Sequence, residues 1–273
     1  MYKINFIFFF IVFINLEAQV PEPVGYQKKP ILLYNAEVHV GDGTIIDDGY
    51  VCFDSGKITH IGNFNNNILE NFENHLKIDL NKKLIYPGLI LPISKVGLEE
   101  ISAVRATLDH TEIGEINSNI RTLTSFNTDS EIISTFRYNG ILLSQVTPDG
   151  DLITGNSSIM MMEGWNWEDA AYKIDDGMHI KWPRKTFPPN RWTGSTEFRE
   201  NPNYRNTIDM VHKFLIDSRA YYDLKDKVDG INLKLESMID VFSGKKKIYI
   251  HANTREQIIE SVQAFKRHGI NNL

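Results

Sequence analysis

The 273-residue chain carries 29 Lys and Arg against 35 Asp and Glu, a formal charge of −6, and 42% of it is hydrophobic, the balance of an ordinary globular protein. Without long charge runs or a basic excess, the composition argues against nucleic acid as a partner and gives no support for binding at a membrane surface. The single Cys52 cannot close an intramolecular disulfide, so stability must come from core burial or a bound metal.

Taken in chain order, the first segment is Met1-Tyr2-Lys3, one positive charge, then an apolar run from Ile4 to Leu16 that ends at Glu17-Ala18-Gln19. This pattern predicts a signal peptide over 1–18 and an exported protein, periplasmic or extracellular. The run is short of the roughly 20 apolar residues that a spanning helix needs, so no stable membrane span is expected.

After Pro21, Pro23 and Pro30, short β-rich stretches follow at Ile31 to Val40, Tyr50 to Asp54, Lys57 to Ile61 and Leu76 to Leu80. Gly41-Asp42-Gly43, Asp47-Asp48-Gly49 and Asp54-Ser55-Gly56 separate them, each able to supply a tight turn. The reading is a small antiparallel β domain over 28–86, sandwich-like in character.

From Leu84 the rhythm changes to apolar strands alternating with helices, as in parallel βαβ construction. Strands are expected at Leu84 to Ser94, Gly140 to Thr147, Ser157 to Glu163 and Lys247 to His251. Thr128 with Glu131 suggests a capping box before a helix that closes at Gly140, and Asn201-Pro202 a long helix to about Asp226. A further helix is expected from Ile231 to Phe242, and Thr254 with Gln257 caps a last one ending at His268-Gly269. The stretch 164–200, dense in Trp, Pro and Gly, reads as an irregular insertion. The fold class is therefore α/β, a small β domain followed over 87–273 by an incomplete TIM-type barrel. About four barrel strands fit, whereas a closed barrel of eight needs roughly 250 residues, so the sequence reads as a fragment or as a half completed by another chain. The strand edge left unpaired is an association hazard.

Several segments carry a family resemblance. Lys77-Ile78-Asp79-Leu80 running on through Leu84-Ile85-Tyr86-Pro87-Gly88-Leu89-Ile90 resembles the lead-in to the barrel of the amidohydrolase superfamily, in its imidazolonepropionase-like branch. Asp54-Ser55-Gly56-Lys57-Ile58 is similar to a hairpin of that family's small domain, Asn139-Gly140-Ile141-Leu142-Leu143 to its second barrel strand, and Ile248-Tyr249-Ile250-His251 to a strand that delivers a metal-ligand His. The resemblance implies a hydrolase of carbon-nitrogen bonds in cyclic amides, amino-acid derivatives or dipeptides, with one or two divalent ions such as zinc at the barrel mouth. Its signature places two His, one residue apart, after the Pro-Gly lead-in and an Asp. Here those three places hold Leu91, Ile93 and Lys95. Aliphatic side chains have no lone pair and a protonated Lys is all donor, so none can stand in for imidazole.

His251 is the remaining candidate metal ligand, at the end of an apolar strand; its other reading is a hydrogen-bonded structural His. Trp165, Trp167 and Glu168 are candidate substrate contacts, two aromatics beside carboxylates in the insertion, and Trp182, Arg184, Arg191 and Trp192 extend that composition. Their alternative is packing on the barrel rim. His39, His60, His75, His110, His179, His212 and His268 read as isolated, and no catalytic residue is assigned. Two functions follow. One is an exported hydrolase acting on a small amide or peptide-like substrate; the other is a non-catalytic homologue that binds a ligand or an active barrel partner.

Overall fold

The computed structural model describes residues 23, 25–190, 192, 194–224 and 230–273. The expected signal peptide lies outside the described residues. Among those described, no helix is long and apolar enough to cross a membrane.

The first sheet is built on β1 (Ile31–His39), which pairs antiparallel with β2 (Ile45–Asp54), itself antiparallel to β3 (Lys57–Asn63). Ser55 and Gly56, at φ 49° and 75°, make the turn between β2 and β3. A short helix, α1 (Asn66–Asn71), leads to β4 (Leu76–Asp79) and β5 (Leu84–Ile85), and both run parallel to β1. The sheet is thus mixed, and the purely antiparallel expectation fails at these two strands: a helix between β3 and β4 gives the chain length to cross before it pairs. Ala36, Val38 and Val51 form its small core, and Cys52 is fully buried.

Leu84 to Ser94 is two strands rather than one. The chain breaks at Pro87-Gly88, and β6 (Leu89–Ser94) opens a second sheet. The opening is steric as well as conformational, because a Cβ at Gly88 would come within 2.4 Å of Leu142. The second sheet has the order β12-β9-β8-β7-β6, with β7 (Ile141–Val146), β8 (Ile153–Met161), β9 (Ala171–Lys181) and β12 (Lys247–His251). β6 and β7 are parallel, as are β9 and β12, while β8 runs antiparallel to both its neighbours. It is a curled half-barrel in which four strands point one way and β8 returns between them.

The region expected to be an irregular insertion contains β9, an 11-residue strand inside the sheet. Two minor pieces flank it: α3 (Trp167–Ala170) before, and a hairpin of β10 (Thr186–Phe187) and β11 (Arg199–Glu200) after.

The helices cover the outer face. α2 (Glu131–Tyr138) is capped at Ser130 without a side-chain bond, and Thr128 donates to the Trp165 carbonyl at 3.3 Å, so the expected capping box does not form. α4 (Tyr204–Leu224) buries Val211, Phe214, Leu215, Ser218 and Tyr221, one stripe at helical spacing. The helix expected at 231–242 is two short ones, α5 (Leu233–Glu236) and α6 (Ile239–Phe242). α7 (Arg255–Arg267) starts at the anticipated capping box: Thr254 Oγ1 accepts from Gln257 N at 3.2 Å, and Gln257 Oε1 accepts from Thr254 N at 3.2 Å. One core lies between these helices and the sheet, with Met178, Ile180, Leu215, Ile248 and Phe265 at 0–1% exposure. Burial of each such side chain is worth about 1.5–3 kcal/mol. A second core joins Val146 and Met160 to Ile133 of α2 and to Leu98 and Phe126 in the connection from β6.

Candidate functional site at the mouth of the half-barrel

In β/α barrels the functional end is the one where the parallel strands finish. Four strand ends converge there. Lys95 follows β6, Asp149 follows β7 in the turn Thr147-Pro148-Asp149-Gly150, Lys181 is the last residue of β9 and His251 the last of β12. The β9/β12 register sets Lys181 opposite His251.

Asp149 sits between the two ammonium groups. Lys95 Nζ lies 2.6 Å from its Oδ2, and Lys181 Nζ bonds its Oδ1 and also donates to the Gly150 carbonyl at 2.8 Å. Burial acts to raise the Asp149 pKa, but the hydrogen bonds from Lys181 and Lys95 outweigh it and hold the carboxyl far below the usual carboxylate range. Asp149 N donates to the His110 carbonyl at 2.6 Å, which ties the connection after β6 to the same point.

Below this cluster runs a buried polar chain. His251 Nε2 is 2.9 Å from His179 Nδ1, and His179 Nε2 is 2.8 Å from Ser157 Oγ. Ser157 Oγ donates to the Gly177 carbonyl at 3.2 Å, so it accepts from His179 Nε2–H. His179 Nδ1 is then bare and accepts from His251 Nε2–H, which leaves His251 Nδ1 as the free imidazole lone pair among Ser157, His179 and His251. Burial, then the neighbouring His251, push the His179 pKa down to about 3. Burial and Lys181 lower that of His251, with Asp149 opposing. Tyr249 stacks on His179, ring centroids 4.9 Å apart, and its hydroxyl donates to Asp176 Oδ2 at 2.7 Å, where Gln145 Nε2 also donates at 3.1 Å.

The residues at this mouth do not fit a divalent ion. Of the three places in the family signature, Leu91, at that of the Asp, is packed against the second core, and Ile93, at that of the first His, projects from an irregularity in β6, at φ 51° and 59% exposed. Lys95 brings a positive charge already paired with Asp149. His251 has given Nε2 to His179, and one remaining nitrogen is no chelate. No group of three or more His, Cys, Asp or Glu able to hold a metal occurs among the described residues.

Trp165, Trp167 and Glu168 are elsewhere. Because β8 runs backwards, its last residues pair with the beginning of β7, Met161 opposite Leu143, and the segment after it emerges at the end of the sheet away from the mouth. Trp167 packs against the second core, Glu168 is exposed, and Trp165 is 63% exposed with its N–H bonded to Asp169 at 3.1 Å. Trp182 is buried in the first core, Trp192 is exposed, and Arg191 lies outside the described residues. Two histidine pairs went unanticipated: His179 with His251, and His212 Nδ1 with His268 Nε2 at 2.9 Å. Lys181 and His179 were hidden because their strand was not expected. Asp149 had a visible signal, an acidic turn residue directly after a barrel strand.

No family model matches the sequence, and no curated protein does. Among solved structures, the chain is similar to an amidohydrolase from Thermotoga maritima MSB8, with a TM-score of 0.75 at 20% identity over 88% of this chain and 63% of that one. A β-aspartyl dipeptidase from Fervidobacterium islandicum AW-1, solved with a β-Asp-Leu dipeptide, aligns at a TM-score of 0.31 and 16% identity over 88% of this chain and 64% of that one, too loosely to support any argument. The chain thus spans less than two thirds of the amidohydrolase it resembles. What it shares with that structure is the fold, here a small β-sheet followed by a half-barrel.

Proposed function

We propose that this is an exported amidohydrolase-fold protein that binds a small amide or peptide-like ligand without hydrolysing it. The fold supports a hydrolase of carbon-nitrogen bonds; the mouth favours the non-catalytic form of that family. One observation carries the choice: two ammonium groups clasp a carboxylate where several lone-pair donors would have to converge on an ion. A Lys cannot ligate without losing its proton, and here both ammonium groups are already paired with Asp149. Export rests on the basic and apolar start of the sequence.

The test is metal analysis of the protein purified from zinc-supplemented medium, together with assays on cyclic amides and dipeptides. Far less than one equivalent of zinc, manganese, iron or nickel is expected, and no turnover. A stoichiometric ion with hydrolysis that chelation abolishes would defeat the proposal. A second reading, in which the ligand is another amidohydrolase-like chain, is favoured by β6, an edge strand with Leu89, Ile90 and Ile93 at 59–60% exposure. Light scattering decides it, since a partner on that edge predicts a stable oligomer that Ile90→Lys disperses.

A further inference from the structure

Beside the mouth, the segments that follow β9 and β12 enclose a cavity of about 600 Å³. The volume suits a small organic molecule, and the place is where barrel folds hold their ligands. Its lining divides into two kinds. Pro183, Pro188, Phe198 and Ile259 give an apolar wall, and Arg184, Lys185 and Arg255 give three cations. None of these cations has an ion-pair partner among the described residues. Two carboxylates, Glu256 and Glu260, also face the cavity, and Glu260 already accepts from the Tyr204 hydroxyl. The charge left over is positive, in a protein whose formal charge is −6.

The frame around these groups is fixed. Gln257 is 4% exposed and donates through Nε2 to the carbonyls of Trp182 and Pro183 at 2.9 and 3.2 Å, while its Oε1 accepts from Asn253 N at 3.0 Å. It thereby locks the start of α7 to the chain leaving β9. On the other side, Asn201 donates to the carbonyls of Arg184 and Lys185, from Nδ2 at 2.8 Å and from N at 2.9 Å. The two arginines are therefore carried on braced backbone, and a guanidinium presents the planar pair of donors that a carboxylate matches.

We propose that this cavity binds a small organic carboxylate with an apolar body. The carboxylate pairs with Arg184 and Arg255, and the apolar portion lies along Pro188, Phe198 and Ile259. The assignment deepens the ligand-binding reading above and rests on it.

Calorimetric titration of the whole chain with N-acetyl-leucine, and with N-acetyl-leucinamide, is the experiment. Saturable binding of the acid is expected, at least tenfold tighter than that of the uncharged amide. The double variant Arg184→Ala/Arg255→Ala should lose at least tenfold while its melting temperature stays unchanged, because both side chains are exposed and have no ion-pair partner among the described residues. Ile259→Asp should weaken the acid through the apolar wall. Failure of the acid to bind at millimolar concentration, equal binding of acid and amide, or a double variant that binds like the parent would each overturn the site. Inorganic phosphate binding as well as the acid does would also overturn it, since the apolar wall would then contribute nothing. Release of acetate during the titration would leave the cavity assignment standing and defeat the non-hydrolytic reading, so the two failures are separable.

Discussion

His179 shows how one buried side chain can govern behaviour across a pH range. It is 0% exposed, and its two ring nitrogens are committed to His251 and Ser157. A proton added to this imidazole, at Nδ1, would be desolvated and would face the His251 Nε2–H, donor against donor. In the folded protein burial, then the neighbouring His251, hold its pKa at about 3, below the ordinary histidine value of 6.5. The unfolded chain therefore binds the extra proton more readily, and stability contributed by the neutral ring is complete above about pH 6.5 and falls as the pH drops toward 3. Each pH unit across that window is worth up to about 1.4 kcal/mol. Urea denaturation at pH 7.5, 6, 5 and 4 should show this decline, and in His179→Gln it should be shallower although the variant is less stable at pH 7.5. Parallel pH profiles for the two proteins would show that another group is responsible. Asp149 adds to acid sensitivity with the same sign, because its carboxyl is held below its ordinary range and must be protonated against two lysines.

At the level of elements, α7 and β12 are the best-read part of the chain and β9 the worst. The last strand ends at His251, the helix begins one residue after Thr254, and both follow from an apolar run and a Thr-x-x-Gln cap. The cap's contribution is testable by itself: Thr254→Ala should cost about 1 kcal/mol in chemical denaturation, leaving the slope with denaturant unchanged. A smaller loss than a few tenths of a kcal/mol would mean that Gln257, through its bonds to Trp182 and Pro183, holds the helix start without help. β9 escaped because Ala171–Lys181 carries Lys173, Asp175 and Asp176 and the sequence Asp-Asp-Gly, all turn-like, with Asp175 at φ 49°. Its first half is largely exposed and only 176–180 is buried, so neither alternation nor a continuous apolar run marks it. Gly177 is where the strand must be bare, since a Cβ there would meet the Tyr249 ring at 2.3 Å. With β9 unseen, His179 and Lys181 could not be placed. The reversal of β8 was likewise beyond reach, because a short apolar strand does not encode its direction, and that reversal carries Trp165, Trp167 and Glu168 away from the mouth.

At the scale of the molecule, the Lys95–Asp149–Lys181 cluster joins three strands that are far apart in sequence. A metal in an amidohydrolase-type mouth would fasten strand ends by coordination, whereas here the fastening is ionic and belongs to the chain itself. Exposed ion pairs are usually worth about 0–1 kcal/mol each, and these side chains are 29–41% exposed, so the sum is modest. Its sign structure is more informative than its size. Asp149→Asn removes the shared acceptor and leaves two ammonium groups facing each other, so it should cost about 1–2 kcal/mol, more than Lys95→Met alone. Adding Lys95→Met to Asp149→Asn should then recover part of the loss, because the repulsion disappears with one of its sources. The double-mutant cycle in low-salt buffer should therefore give a non-additive term of at least about 0.5 kcal/mol, reduced in 1 M salt by screening. Strict additivity of the two losses would mean that the lysines do not share the carboxylate in solution. Melting temperatures should be the same with zinc as with a chelator, since the strand ends are held by groups that no chelator removes.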